Sequence, residues 1–233
     1  MCFSPEADLI AGVVITAIGV DTLRSVEHPA ERPLASLPLI FGTHQLIESL
    51  VWWGVDGCVG ESVSQWSTWL YLALAFGLLP WFVPWAVQRI EPRPRRRSLM
   101  AQLAVLGAFV SLLLMWAIIV GPVEVADAGY HLDYSVSVPY GGYVVALYVA
   151  ATCGSLLLSS DRYLAIYGAG NLLAVSALSV LLFTGVISLW CVWAAITSAA
   201  IAVHLRRADS QRNRFRAVGM SGGGKASPNR PVV

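Results

Sequence analysis

The stretch that decides the fold is residues 93–121, RPRRRSLMAQLAVLGAFVSLLLMWAIIVG, in which a basic segment runs into 98–121 without a charged side chain. At a rise of about 1.5 Å per residue, that run is long enough for the roughly 30 Å hydrocarbon core of a bilayer. Composition points to the same solvent. Of 233 residues, 57% are hydrophobic and 12% are charged, against about a quarter charged in soluble domains. The formal net charge of +1 suggests neither a nucleic-acid partner nor an acidic one.

Working outward, comparable apolar runs predict spans at about 5–26, 34–55, 66–88, 98–121, 140–159, 164–183 and 186–206. Ser4 is the expected N-cap of the first, with Pro5 at its first position and Glu6 and Asp8 where the helix dipole favours negative charge. Pro80 and Pro84 fall inside the third run, where each removes a backbone donor and a neighbour must satisfy the freed carbonyl. Arg24, Arg32, Arg89, Arg93, Arg95, Arg96, Arg97 and Arg162 all fall in alternate loops, and the remaining basic residues lie at the tail. The loops at 56–64, 122–139 and 184–186 hold Asp56, Glu61, Glu124, Asp127 and Asp133 and no Lys or Arg. By the positive-inside rule the expectation is an all-α bundle of seven transmembrane helices in the cell membrane, amino terminus outside and carboxyl terminus cytoplasmic. Residues 1–207 form the membrane domain, and 208–233 read as a basic, disordered cytoplasmic tail. The basic loop and tail are candidate contacts for anionic lipid headgroups.

Ionisable groups within an apolar bundle are functional candidates, because each costs several kcal/mol to bury, on the order of 2.5–3.5. The second span holds the best pair. His44 and Glu48 are four residues apart in Phe41-Gly42-Thr43-His44-Gln45-Leu46-Ile47-Glu48 and share a helical face. A carboxylate beside an imidazole can relay protons, hold a cationic group or contribute two ligands to a metal. The alternative is a polar pair that only fixes helix packing. Gln45 and Asn171 are expected at similar depth, with Trp52, Tyr71, Trp116, Trp190 and Trp193 as an aromatic wall. Interfacial anchoring accounts equally for most of those aromatics. Asp21, Asp161, Arg162 and His204, with His28 nearby, make a weaker cytoplasmic polar cluster, and His131 sits in the longest outer loop. Cys2 and Cys58 both fall outside, where a disulfide would be chemically allowed, while Cys153 and Cys191 read as apolar fillers.

Asp161-Arg162-Tyr163 is similar to the Asp-Arg-Tyr motif of rhodopsin-like receptors, but it follows the fifth span instead of the third. A covalently bound retinal is excluded, since the last span has no lysine and Lys225 in the tail is the sole one in the chain. Zinc-dependent seven-span hydrolases of lipid amides are similar only in span count, because His44 lies roughly 10 Å deeper than His204 and Asp21. The chain more closely resembles uncharacterised bacterial and archaeal membrane proteins that begin Met-Cys-Phe-Ser and carry His-Gln-x-x-Glu before Val-Trp, here Met1 to Ser4, His44, Gln45, Glu48, Val51 and Trp52. The likeness extends to Asp161, Arg162, Asn171 and the run 188–193. It implies no activity or cofactor, but it places Cys2 at the outer end of a site. The expected function is binding of a small molecule or ion in an outward-facing pocket floored by His44 and Glu48, for transport or sensing. An intramembrane enzyme, with those residues as general base or metal ligands, and a structural subunit are the alternatives.

Overall fold

The computed structural model describes residues 4–127, 129, 132–181 and 200–203. The chain is mostly helical. Helix α1 (Pro5–Ser25) is followed by a short α2 (Arg32–Ala35), α3 (Leu37–Val55) and α4 (Glu61–Leu72). A π-helical segment, Ala73–Leu78, joins α4 to α5 (Leu79–Ile90), after which come α6 (Pro94–Val120), α7 (Gly141–Leu157) and α8 (Arg162–Leu181). Among the described residues three helices are long and apolar enough to cross a membrane: Arg32–Val55, Glu61–Ile90 and Pro94–Val120, with mean hydropathies of 1.2, 1.8 and 2.7 over an 18-residue stretch of each. Of the run expected at 186–206, residues 200–203 are helical and the rest lies outside the described residues, as does the tail.

The ends of α1 follow local chemistry. Ser4 is extended and its Oγ accepts the Ala7 N–H at 3.3 Å, with Pro5 opening the helix. Helix α1 then lies antiparallel on α3 at very close range. A Cβ on Gly19 would collide with the Leu39 backbone, and one on Gly42 with Thr16. Only glycine allows backbones this near, a common device where helices pack without a strong hydrophobic drive. Gly12 opposite Leu46 and Thr16 opposite Gly42 set the register, which continues to bring Asp8 to the level of Leu50. Asp8 is accordingly fully buried, and its place in the first turn does not make it a surface group.

Pro80 acts differently from a simple helix breaker. In the π segment the Leu79 N–H bonds to the carbonyl of Leu74, five residues back. The carbonyl of Ala75 therefore loses its α-helical donor, and its π-helical donor would be Pro80, which has no N–H. The Tyr148 hydroxyl on α7 donates to it instead, at 3.0 Å. Further along, a Cβ at Gly107 of α6 would collide with the Pro80 carbonyl, so glycine there lets α6 pack on the proline turn.

One expectation needs correcting. The segment 122–139 is not a plain loop in an all-helical chain, because β1 (Val123–Asp127) and β2 (Leu132–Val136) pair antiparallel as a hairpin, Val125 opposite Tyr134. Its strict alternation Leu132-Asp133-Tyr134-Ser135-Val136 puts Leu132 and Tyr134 on one face. Those two side chains are buried against Ile47, Val51, Trp52 and Tyr71, so the hairpin covers one end of the bundle. At the opposite end the α5–α6 loop is tied to the α7–α8 turn. The Arg96 guanidinium donates to the carbonyls of Leu158 and Ser159 at 3.1 and 2.9 Å, and Glu91 accepts the Ser160 N–H at 2.8 Å.

Candidate functional site

The polar centre is built on the buried face of α3. His44, Gln45 and Glu48 are at most 1% exposed. The spacing that suggested a shared face holds, and the structure adds a partner from α4, Tyr71, also fully buried. His44 Nε2 lies 3.2 Å from the Tyr71 carbonyl oxygen. A carbonyl only accepts, so Nε2 carries the proton and the lone pair is left on Nδ1. The Tyr71 phenol turns back to donate to Glu48 Oε1 at 3.2 Å, and Gln45 Nε2 donates to Glu48 Oε2 at 3.2 Å. Tyr71 thus bridges imidazole and carboxylate through two different groups, its carbonyl and its hydroxyl.

Three rings stack through this centre. His44 and Tyr71 have centroids 4.0 Å apart at an interplanar angle of 27°, and Tyr71 and Tyr134 lie 4.6 Å apart at 12°. The column runs from α3 through α4 to the hairpin, with Trp52 in the same buried cluster. Two polar atoms on this face are buried and have no hydrogen-bond partner among the described residues: the acceptor His44 Nδ1 and the donor Trp52 Nε1. Such groups cost about 1–3 kcal/mol each when left unmade, so they call for a water or a ligand.

The other expected residues divide. Asn171 is buried on α8, a helix packed chiefly on α7, and its Oδ1 also lacks a partner among the described residues. Trp116 does not join the wall, because it is 59% exposed on the outer face of α6. Cys2, His131, Trp190, Cys191, Trp193 and His204 lie outside the described residues. In the weaker cluster Asp21 is exposed, Asp161 accepts the Tyr163 N–H at 2.8 Å and so caps α8, and the Arg162 guanidinium sits over the Tyr163 ring at 5.4 Å. Cys58 is a free, exposed thiol and Cys153 a buried one. Among the described residues no group of three or more His, Cys, Asp or Glu is placed to hold a metal. An open apolar groove of about 320 Å³ lies on the surface between α3 and α4, lined by Ile47, Leu50, Val63, Trp66 and Leu70 and by neither His44 nor Glu48.

Three residues that matter here were not picked out as site residues. Tyr134 was hidden in a segment read as a solvated loop, although the alternation around it is a strand signal. Asp8 read as a helix-dipole partner, and only the α1–α3 register brings it to the depth of the polar centre. Glu91 sits among the arginines that set the charge asymmetry, and only the contact with the α7–α8 turn gives it a role. Burial alone would raise its carboxyl, but hydrogen bonds from Ser160 and Arg93 and the nearby charge of Arg96 outweigh that and hold it below its ordinary value.

No curated protein and no solved structure matches the chain. The model of a family of unknown function (DUF6629) matches residues 1–216, nearly the whole chain, and this agrees with the resemblance to an uncharacterised family; the protein belongs to that family.

Proposed function

We propose that this protein is a multi-pass cell-membrane protein that binds a small molecule or ion at the His44–Glu48 centre, in transport or sensing. The full arrangement would be seven transmembrane helices, amino terminus outside and carboxyl terminus cytoplasmic. Three helices of spanning length among the described residues and the confinement of every Lys and Arg to alternate loops and the tail support it. One observation carries the binding reading: His44 Nδ1 is a buried acceptor without a partner among the described residues, one helical turn from the Glu48 carboxylate. A core built only for packing would satisfy that atom, whereas a ligand with a donor group would pair with it.

The test is a thermal-shift screen of the purified full-length protein against small cations, amines and amino acids, repeated on His44→Ala and Glu48→Gln. A compound that raises the melting temperature of the parent and of neither variant supports the reading. Two variants that fold and function like the parent would favour a structural subunit of a membrane complex instead. The same lone pair favours one second reading, an intramembrane enzyme using His44 as general base on a lipid or other apolar substrate. Metal analysis bears on it, because stoichiometric metal lost in His44→Ala would make His44 and Glu48 ligands.

A further inference from the structure

We propose that the α5–α6 loop is a docking surface for the headgroups of anionic phospholipids, with their acyl chains laid along α6. The segment 89–97, RIEPRPRRR, which runs from the end of α5 through the loop into the first turn of α6, contains five arginines and one carboxylate. The fold sorts them. Arg96 turns inward to the Leu158 and Ser159 carbonyls, and Glu91 is buried on Ser160 while also accepting the Arg93 N–H at 3.1 Å. The inward pair holds the loop to the α7–α8 turn and removes its only carboxylate from the surface. Arg89, Arg93, Arg95 and Arg97 are left exposed, so the outward face is uniformly cationic. Among the described residues no side-chain hydrogen bond or ion pair engages Arg93, Arg95 or Arg97. Pro92 and Pro94 restrict the backbone between them, which makes this a fixed platform.

A second observation decides the chemistry of the partner. Beyond the arginines α6 exposes Leu99, Val105, Phe109, Leu112 and Trp116, from 45% to 72% of each side chain. From Val105 onward the spacing of four, three and four is that of one helical face. From Val105 to Trp116 that face rises roughly 16 Å, about half the hydrocarbon thickness of a bilayer. A cationic platform at the head of a helix that carries an apolar stripe one leaflet long fits an amphiphile with an anionic head, and fits neither a free anion nor a nucleic acid. The inference rests on the bundle being embedded in a bilayer.

The experiment uses the full-length protein reconstituted in vesicles of phosphatidylcholine mixed equally with phosphatidylglycerol, and native mass spectrometry of the lipids it retains. The parent should retain phosphatidylglycerol over phosphatidylcholine by about tenfold. Arg93→Gln/Arg95→Gln/Arg97→Gln should bring that ratio close to one, and the matching triple lysine variant should keep it. If the triple glutamine variant does not fold, each single glutamine variant, made on an exposed side chain, should lower the ratio in part. An unchanged ratio in the glutamine variants, or its loss when excess inorganic phosphate is added, overturns the proposal. A protein that does not float with vesicles of any composition fails the membrane reading, whereas one that floats and retains both lipids equally fails this inference alone.

Discussion

His44 stacks on Tyr71 at a centroid distance of 4.0 Å while its Nε2 donates to the backbone carbonyl of that same residue at 3.2 Å. One residue of α4 therefore fixes the imidazole by ring plane and by proton. It does so in the turn before the helix widens into its π segment, where backbone geometry departs from the α-helical pattern.

The hydroxyl arm of Tyr71 is separable from its ring. Tyr71→Phe keeps the stack and the carbonyl and removes the donor to Glu48 Oε1, at an expected cost of about 1–3 kcal/mol. Glu48→Gln alters the other partner of the same bond, so the double variant should be less destabilised than the sum of the singles by about 1 kcal/mol. Denaturation of the four proteins in one detergent measures this, and strictly additive losses would show that the bond contributes nothing.

Tyr134 is the keystone of the hairpin. An isolated two-stranded hairpin is marginally stable, so β1 and β2 depend on burying Leu132 and Tyr134 in the bundle. Tyr134→Ala should cost about 3–5 kcal/mol, the range for deleting a buried aromatic ring. Amide hydrogen exchange should rise across Val123–Asp127 and Leu132–Val136 and stay unchanged in α6. Equal protection in parent and variant would mean that something else holds the hairpin down.

Tyr148 replaces a donor that Pro80 cannot supply. Tyr148→Phe leaves the Ala75 carbonyl buried without its bond, at about 1–3 kcal/mol. A Pro80→Ala change made together with it restores a backbone N–H five residues from Ala75 and should recover part of the loss. A double variant no more stable than Tyr148→Phe alone would argue against this account of the π segment.

Glu91 predicts an acid limb. Its folded-state pKa lies below the ordinary value of 4.5. The stability it contributes is therefore fully present above that value and is lost as the pH falls below it, through the lowered folded value. Glu91→Gln removes this contribution, so its melting temperature should lie below that of the parent at neutral pH, and the gap should close on acidification. A gap of constant size down to strongly acid pH would place the titration elsewhere.

Much of the bundle is legible from periodicity and apolar length, because a helix satisfies its own backbone and needs only local sequence to be recognised. Six of the expected runs coincide with helices to within a few residues, including the N-cap at Ser4. The hairpin is hidden when its segment is read as composition, because Glu124, Asp127 and Asp133 resemble a solvated loop. Read as alternation, Glu124 and Asp133 lie on the outer face of two strands, and Asp127 ends the first of them. Trp116 shows the converse failure. An aromatic at the right depth was expected in the wall, but depth along a helix says nothing of which way the residue faces, and α6 turns it outward.

The sequence by itself determined that this chain is helical and apolar, that its basic residues segregate to alternate loops, and that His44, Gln45 and Glu48 lie on one side of one helix. Each of these follows from local spacing. Only the tertiary structure decided that Tyr71 would join imidazole to carboxylate, that Tyr134 would close the stack, that Asp8 would reach the same depth, and that Arg96 would face inward while its neighbours face out. Those are relationships across 23 residues or more for Tyr71 and Glu48 and across 62 or more for Arg96 and the α7–α8 turn. They are set by how elements far apart in the chain pack on one another, as where glycines let α1 approach α3, and no local pattern encodes the result.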